Sequence, residues 1–246
     1  MKRLSLIKRG IKQILKAAGI EARRFHPGSS PLARQMVAFH HFNIDLVFDI
    51  GANEGQFARE LRAGGYSGTI VSFEPLSSAH ARLLQASAND NAWHVQPRCA
   101  VGDRVGDIEL NISGNSVSSS ILPMLSAHSD AAPQSSYQGR ESASLVMLDS
   151  VAPFYLRGAK APFLKVDTQG YEWQVLDGAR DILPRVCGIQ IELSLVPLYE
   201  GQRLWRNCIE RLEADGFRLW SLSPEFVDPA TGRTLQWDGL FFRLRS

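Results

Sequence analysis

Cysteine is scarce: Cys99, Cys187 and Cys208 are the only three in 246 residues, an odd number with no C-x-x-C spacing. Neither a disulfide framework nor a zinc site is encoded, and the three read as buried thiols. Long apolar runs are missing as well. No stretch approaches the roughly 18 uninterrupted apolar residues of a spanning helix, and MKRLSLIKRGIKQILK is broken by Lys8, Arg9 and Lys12 before a signal-peptide core can form. The chain is therefore expected in the cytoplasm. A large excess of one charge is also absent, since 27 Lys and Arg stand against 25 Asp and Glu.

The distribution of that charge is uneven. Residues 1–24 carry eight Lys and Arg against Glu21 alone, a net +7, which leaves 19 basic and 24 acidic residues, or −5, for the remainder. An acidic main domain argues against nucleic-acid binding. On a helix, Leu4, Ile7, Ile11, Ile14, Leu15 and Ala18 share an arc of roughly 100° flanked by lysines. This basic amphipathic helix either packs on its own domain or touches anionic lipid from the inner face of the membrane. Pro27, Gly28 and Pro31 then precede a short helix, Leu32 to Phe42, and the expected division is an N-terminal helical extension over 1–44 and one domain over 45–246.

From residue 46, strand-like and helix-like runs alternate, the pattern of an α/β fold with a parallel sheet covered on both faces. LVFDI (46–50), TIVSFE (69–74), AWHVQ (92–96), FLKVD (163–167), CGIQIEL (187–193), FRLWSL (217–222) and GLFFRLR (239–245) read as its strands. DIELNIS (107–113) has the alternation of an added antiparallel strand, and SLVMLDSV (144–151) that of a strand entering a turn. Helices are expected at 56–63, 77–86, 171–180 and 202–214. Residues 114–142 hold nine serines with Pro123, Pro133 and Gly139, too polar for a core strand, and read as a mobile lid.

In VFDIGANEGQFARE a strand ends at Asp49, a glycine turn follows and a helix starts near Gly55. Gly51 permits a sharp turn and close ligand approach, Gly55 tight helix–strand contact, and the helix start offers unpaired N–H groups. A dinucleotide loop reads G-x-G-x-x-G, whereas Asn53 holds the second glycine position here, and Asp49 would repel a pyrophosphate. A sulfonium or ammonium ligand suits that carboxylate, so D-x-G-x-N-x-G resembles the first motif of class I S-adenosylmethionine-dependent methyltransferases; a structural glycine turn is the alternative. Glu74 ends the second strand, where an acid accepts hydrogen bonds from ribose hydroxyls or caps a helix. The third strand is expected to run into RCAVGD, where Asp103 either reaches an adenine amino group or is a surface turn acid. Asp167 ends FLKVD at the ligand edge of the sheet, facing a methyl donor, and Glu192 closes the next strand; together they suit proton abstraction, with too few further ligands for a metal. Glu172 is equally explained by the dipole of the helix it begins.

VFDIGANEGQFA, VSFEP, RCAVGD, NSVSSSIL, LVMLDSV, FLKVDTQGYEWQVLDGA, IQIELS and DGLFF, in this order over roughly residues 45–245, resemble the FkbM-type methyltransferases. The resemblance implies a Rossmann-like class I methyltransferase fold with a mostly parallel seven-stranded sheet, S-adenosyl-L-methionine as cofactor, and O-methylation of a sugar, glycan or natural-product hydroxyl. It implies a donor loop of Asp49, Gly51, Asn53 and Gly55, a ribose acid at Glu74, and a signature at Asp167, Gly170 and Glu172. Gln169 departs from the pattern, since members often carry Glu there, which moves any base role to Asp167 or Glu192. In the serine-rich segment, Ser118, Ser119, Ser120 and His128 are candidates for touching the acceptor. The other readings are a non-catalytic membrane-associated binding protein of the same fold, and a nicotinamide-dependent oxidoreductase.

Overall fold

The computed structural model describes residues 13, 15, 17–20 and 25–244. The chain divides into two units, Met1–His41 and Phe42–Ser246. The basic amphipathic helix expected within 1–24 lies for the most part outside the described residues, of which Gln13, Leu15 and Ala17 are helical. Helix α1, Pro31–Phe42, begins as its sequence suggests. Ser30 Oγ accepts the Ala33 N–H at 3.2 Å, and Pro31 occupies the first helical position, where no N–H is needed.

The second unit is built on a seven-stranded sheet formed by β1 (Leu46–Ile50), β2 (Thr69–Phe73), β3 (Trp93–Val95), β7 (Pro162–Val166), β8 (Gly188–Ser194), β9 (Arg218–Val227) and β10 (Thr234–Phe242). Their order is β3-β2-β1-β7-β8-β10-β9. Only β10 runs against its neighbours. Each of the seven runs read as strands from the sequence contributes one of them.

Helices α2 (Gln56–Ala63), α3 (Ser77–Ser87), α5 (Leu148–Leu156), α6 (Glu172–Asp177) and α7 (Trp205–Ala214) connect the strands. Every residue of β1 and β7 is buried, as expected of strands covered on both faces. Leu46, Phe48 and Ile50 share one core with Val71, Phe73, Leu164 and Val166, completed by apolar residues of α5, α6 and α7. The alternate positions project to the other face. There the parallel register sets Asp49 opposite both Ser72 and Lys165, which puts three polar residues in one row of an otherwise apolar sheet centre.

Two sequence expectations need correction. RCAVGD does not continue the third strand: Cys99–Val101 is a separate strand, β4, in a second sheet ordered β4-β6-β5. Strand β5 (Gly106–Ser113) is antiparallel as expected, and its partner is β6 (Tyr137–Val146), whose first half lies inside the supposed lid. Most of that half faces solvent, which is why its polar composition hid a strand.

The rest of 114–142 also has defined structure, with a short helix α4 (Ser126–Ala131) and a 3₁₀ turn (Pro133–Ser135). Its serines bond to nearby backbone. Ser113 Oγ donates to the Ser135 carbonyl at 2.7 Å, Ser135 Oγ to the Ala132 carbonyl at 2.6 Å, and Ser119 Oγ accepts the Ser113 N–H at 3.0 Å. None of the described helices is long and apolar enough to cross a membrane.

Candidate active site

The loop from Gly51 to Gly55 leaves the carboxyl end of β1, the edge where open α/β sheets bind ligands. The N–H groups of Gly51 and Ala52 both donate to the Phe73 carbonyl, at 3.1 and 3.0 Å, tying the loop to β2. Gly51 has φ +74°, and a Cβ there would lie 1.8 Å from the Asp167 carbonyl oxygen. The close approach expected at this glycine is thus to the end of β7. Gly55, at φ +84°, packs against Trp93, which a Cβ would meet at 2.6 Å. Asn53 Oδ1 accepts the Glu54 N–H at 3.0 Å and the Gln56 side-chain amide at 3.1 Å.

Gly51→Ala combines left-handed strain with overpacking against backbone. It is expected to cost at least about 2 kcal/mol. In a chain of this size that is a Tm lower by roughly 4–8 °C. An unchanged melting curve would show that β1 and β7 are not held this close.

Beneath the loop lies a charged pair that sequence reading missed. Asp49 is fully buried, with Lys165 Nζ 3.3 Å from its Oδ1 and Ser72 Oγ donating to its Oδ2 at 3.2 Å. Trp93 Nε1 in turn donates to Ser72 Oγ at 2.9 Å. Lys165 is itself buried and also reaches the Gly51 carbonyl at 3.0 Å and Asp167 Oδ2 at 3.4 Å. Burial pushes the Asp49 pKa up, and the Lys165 ammonium offsets part of that rise. Burial works against the charge on Lys165, but Asp167 and Asp49 outweigh it and hold the ammonium above its ordinary range. Asp49 therefore faces Lys165, where the sequence suggested a sulfonium. The missed signal was a lysine within the apolar strand FLKVD, since a buried cation needs an anionic partner.

Glu74 is buried beside the loop. Its Oε2 accepts the Asn53 N–H at 2.7 Å and its Oε1 the Leu76 N–H at 2.8 Å, so it braces the turn. Each oxygen keeps a second lone pair for a ligand. Burial pushes its pKa up to about 7, against the pull of those two N–H groups. Asp103 follows β4 and is partly exposed, with Arg104 Nη1 3.2 Å from its Oδ1.

The ends of β7 and β8 converge on Gln169. Its Nε2 donates to Asp167 Oδ1 at 2.8 Å and to Glu192 Oε2 and Oε1 at 3.1 and 3.3 Å. Tyr199 OH donates to Gln169 Oε1 at 2.8 Å, and Ser120 Oγ to the Gln169 carbonyl at 2.6 Å. The Asp167 side chain is 40% exposed, whereas Glu192 is buried. Burial, then the charges of Asp167, Glu172, Asp238 and Glu225, raise the Glu192 pKa well above the ordinary carboxyl value. Asp238, the cross-strand partner of Glu192, is likewise raised to about 7, chiefly by burial. Among the described residues, no group of three or more His, Cys, Asp or Glu is arranged to hold a metal ion.

The remaining candidates have other neighbours. Glu172 Oε1 accepts the N–H groups of Thr168 and Gly170, both at 3.0 Å, and so fastens the turn after β7. His128 is buried between Tyr199 and Phe226, with Nε2 3.4 Å from Tyr199 OH. Ser119 and Ser120 are occupied by the Ser113 N–H and by Gln169. Ser120 and His128 thus lie against Gln169 and Tyr199, and Ser119 braces the turn after Ser113. Trp173 lies under the guanidinium groups of Arg211 and Arg203, away from these carboxylates in a separate groove of about 480 Å³.

Residues 49–219, more than half of the chain, match the family model described as the methyltransferase FkbM domain. No curated protein matches the sequence. Solved structures similar to it include an rRNA methylase from Streptococcus thermophilus, 9% identical over 88% of this chain and 98% of that one, TM-score 0.46. Another is the magnesium protoporphyrin IX methyltransferase of Synechocystis PCC 6803 with bound S-adenosylmethionine, 10% identical over 97% and 82%, TM-score 0.46. A third is Aeropyrum pernix fibrillarin in complex with S-adenosyl-L-methionine, 9% identical over 80% and 66%, TM-score 0.45.

Proposed function

The chain belongs to the FkbM methyltransferase family, and on that premise we propose that it moves the methyl group of S-adenosylmethionine to a hydroxyl oxygen of a sugar, glycan or natural-product acceptor. The observation that carries this reading is the pair of carboxyl groups, Asp167 and Glu192, bridged by one amide at the ligand edge of the sheet. S-adenosylmethionine supplies a methyl group activated by a neighbouring sulfonium charge.

The residues present fit such a donor. Glu74 has acceptor capacity left for two ribose hydroxyls, the Gly51–Gly55 turn carries no phosphate-binding glycine at Asn53, and Asp103 is the candidate partner of the adenine amino group. With Asp49 sealed under the loop, the partly exposed Asp167 is the carboxylate that would face the sulfonium of a bound donor. Glu192, whose raised pKa makes it a stronger base than an ordinary carboxylate, takes the hydroxyl proton as the C–O bond forms. Holding donor and acceptor in line supplies the larger part of the acceleration, on the order of 7–11 kcal/mol in well-oriented systems. The +7 charge of residues 1–24 supports peripheral contact with an anionic membrane, which would suit a lipid-linked acceptor.

The test is calorimetric titration with S-adenosylmethionine, S-adenosylhomocysteine and NAD, followed by a screen of hydroxylated acceptors for S-adenosylhomocysteine release. Binding of NAD alone would restore the oxidoreductase reading, and donor binding without turnover on any acceptor would favour the non-catalytic one. Glu74 adds a pH signature. Its ionised form is the better acceptor for ribose hydroxyls, so donor binding should strengthen as pH rises through about 7. Affinity at pH 6 is expected to be about tenfold below that at pH 8, since for a midpoint near 7 the ionised fraction rises from roughly 9% to roughly 91% between them. The dependence should disappear in Glu74→Gln, and a flat wild-type profile would remove Glu74 from the ribose site.

A further inference from the structure

Gln169 is a neutral side chain that donates hydrogen bonds to both reactive carboxyl groups. It turns the corner after β7 at φ +54°. One amide N–H reaches Asp167 and the other is shared by the two oxygens of Glu192. Reversing the amide would aim its oxygen at the acceptor-only carboxylate of Asp167, so chemistry selects the orientation described.

The far side of the amide is secured by Tyr199, backed by His128 of the serine-rich segment. Tyr199 OH donates to Gln169 Oε1, and His128 Nε2 lies 3.4 Å behind that hydroxyl. Buried His128 Nδ1 has no hydrogen-bond partner. An unpaired acceptor lone pair is easier to leave there than an unpaired N–H, which puts the proton on Nε2. Hydrogen bonds then run in one direction, from His128 to Tyr199 to Gln169 to the two carboxyl groups.

We propose that Gln169 is the positioning residue of the methyl-transfer site: its amide holds Asp167 and Glu192 as one hydrogen-bonded pair, and its orientation is set by Tyr199 and His128. The inference rests on the proton-acceptor role given to Glu192 above. The charged groups facing Glu192 are Asp167 at the end of β7, Glu172 on α6, Glu225 on β9 and Asp238 on β10, all acidic. The Lys165 ammonium is engaged with Asp49 and Asp167. Hydrogen bonds donated to a carboxylate favour its charged form, so the Gln169 amide opposes burial and four like charges and keeps Glu192 ionisable.

The experiment uses the full chain with ¹³C-labelled Glu carboxyl groups, the Glu192 signal being assigned by its loss in Glu192→Gln. Gln169→Leu keeps the volume and removes the amide. Its Glu192 midpoint is expected about one pH unit or more above wild type, on the scale of a hydrogen bond to a charged group. Gln169→Glu should move it further, and Tyr199→Phe less but in the same direction. Donor affinity should stay within threefold of wild type. A midpoint that does not move in Gln169→Leu, or in Tyr199→Phe should the first variant fail to fold, overturns the proposal. The acid limb of methyl transfer should follow the NMR midpoint. If Glu192→Gln retains full turnover, the proton-acceptor reading falls and this inference with it; if Glu192→Gln is inactive while the midpoint is unmoved, only the role of Gln169 falls.

Discussion

Lys165→Met is expected to destabilise the protein by about 3–5 kcal/mol, because it leaves a fully buried Asp49 without its counter-charge. At roughly 2–4 °C per kcal/mol for a chain of this length, the Tm should fall by about 10 °C. The loss should depend on pH. Burial already raises Asp49, and without Lys165 it rises further. A carboxyl whose folded pKa lies above its unfolded one supports the fold below the unfolded value and loses that support as pH rises through the folded one. The variant should therefore be closest to wild type near pH 4–5 and furthest from it above neutrality. Adding Asp49→Asn should recover much of the difference, since the double change removes both charges. A fall in Tm below about 2 °C at pH 7 would mean that Asp49 carries no charge in the folded protein.

Glu192→Gln is expected to lower methyl transfer by about 10²–10⁴-fold, the range for loss of a positioned base. The same change should leave the protein as stable as wild type or more so. Glu192 is buried among four acids and its folded pKa is raised. Its contribution to stability is thus present at low pH and lost as pH climbs past the ordinary carboxyl range, so the gain from a neutral amide should be small at pH 5 and larger at pH 8. Reduced activity with equal or higher Tm is the mark of a group retained for chemistry. Asp167→Asn should lower turnover by at least tenfold with little change in Tm, because its side chain is partly exposed and Lys165 keeps Asp49 as a partner. A Glu192→Gln protein that turns over normally would assign the proton to Asp167.

How the sequence related to these features differed from element to element. The strands of the main sheet were legible because burial on both faces demands short continuous apolar runs. Strand β4 and the first half of β6 were not. Cys99–Val101 is three residues long, and the first half of β6 is polar, so neither carries a periodic signal. Residues 114–142 read as a mobile lid because serine density says nothing about whether hydroxyls meet water or backbone.

Composition and local pattern were enough to establish an α/β chain, to mark Asp49, Glu74, Asp167 and Glu192 as acids at strand ends, and to reveal the FkbM resemblance. Each of these depends on residues close together in the chain. Which acid faces which partner was decided by strand register: Asp49 lies opposite Lys165 only because β1 and β7 pair in parallel with those residues level. That pairing buries Asp49 against Lys165 and leaves Asp167 partly exposed. Tertiary packing likewise placed Gln169 between two carboxyl groups and a tyrosine from different elements, since only the folded backbone brings those donors and acceptors within hydrogen-bonding distance.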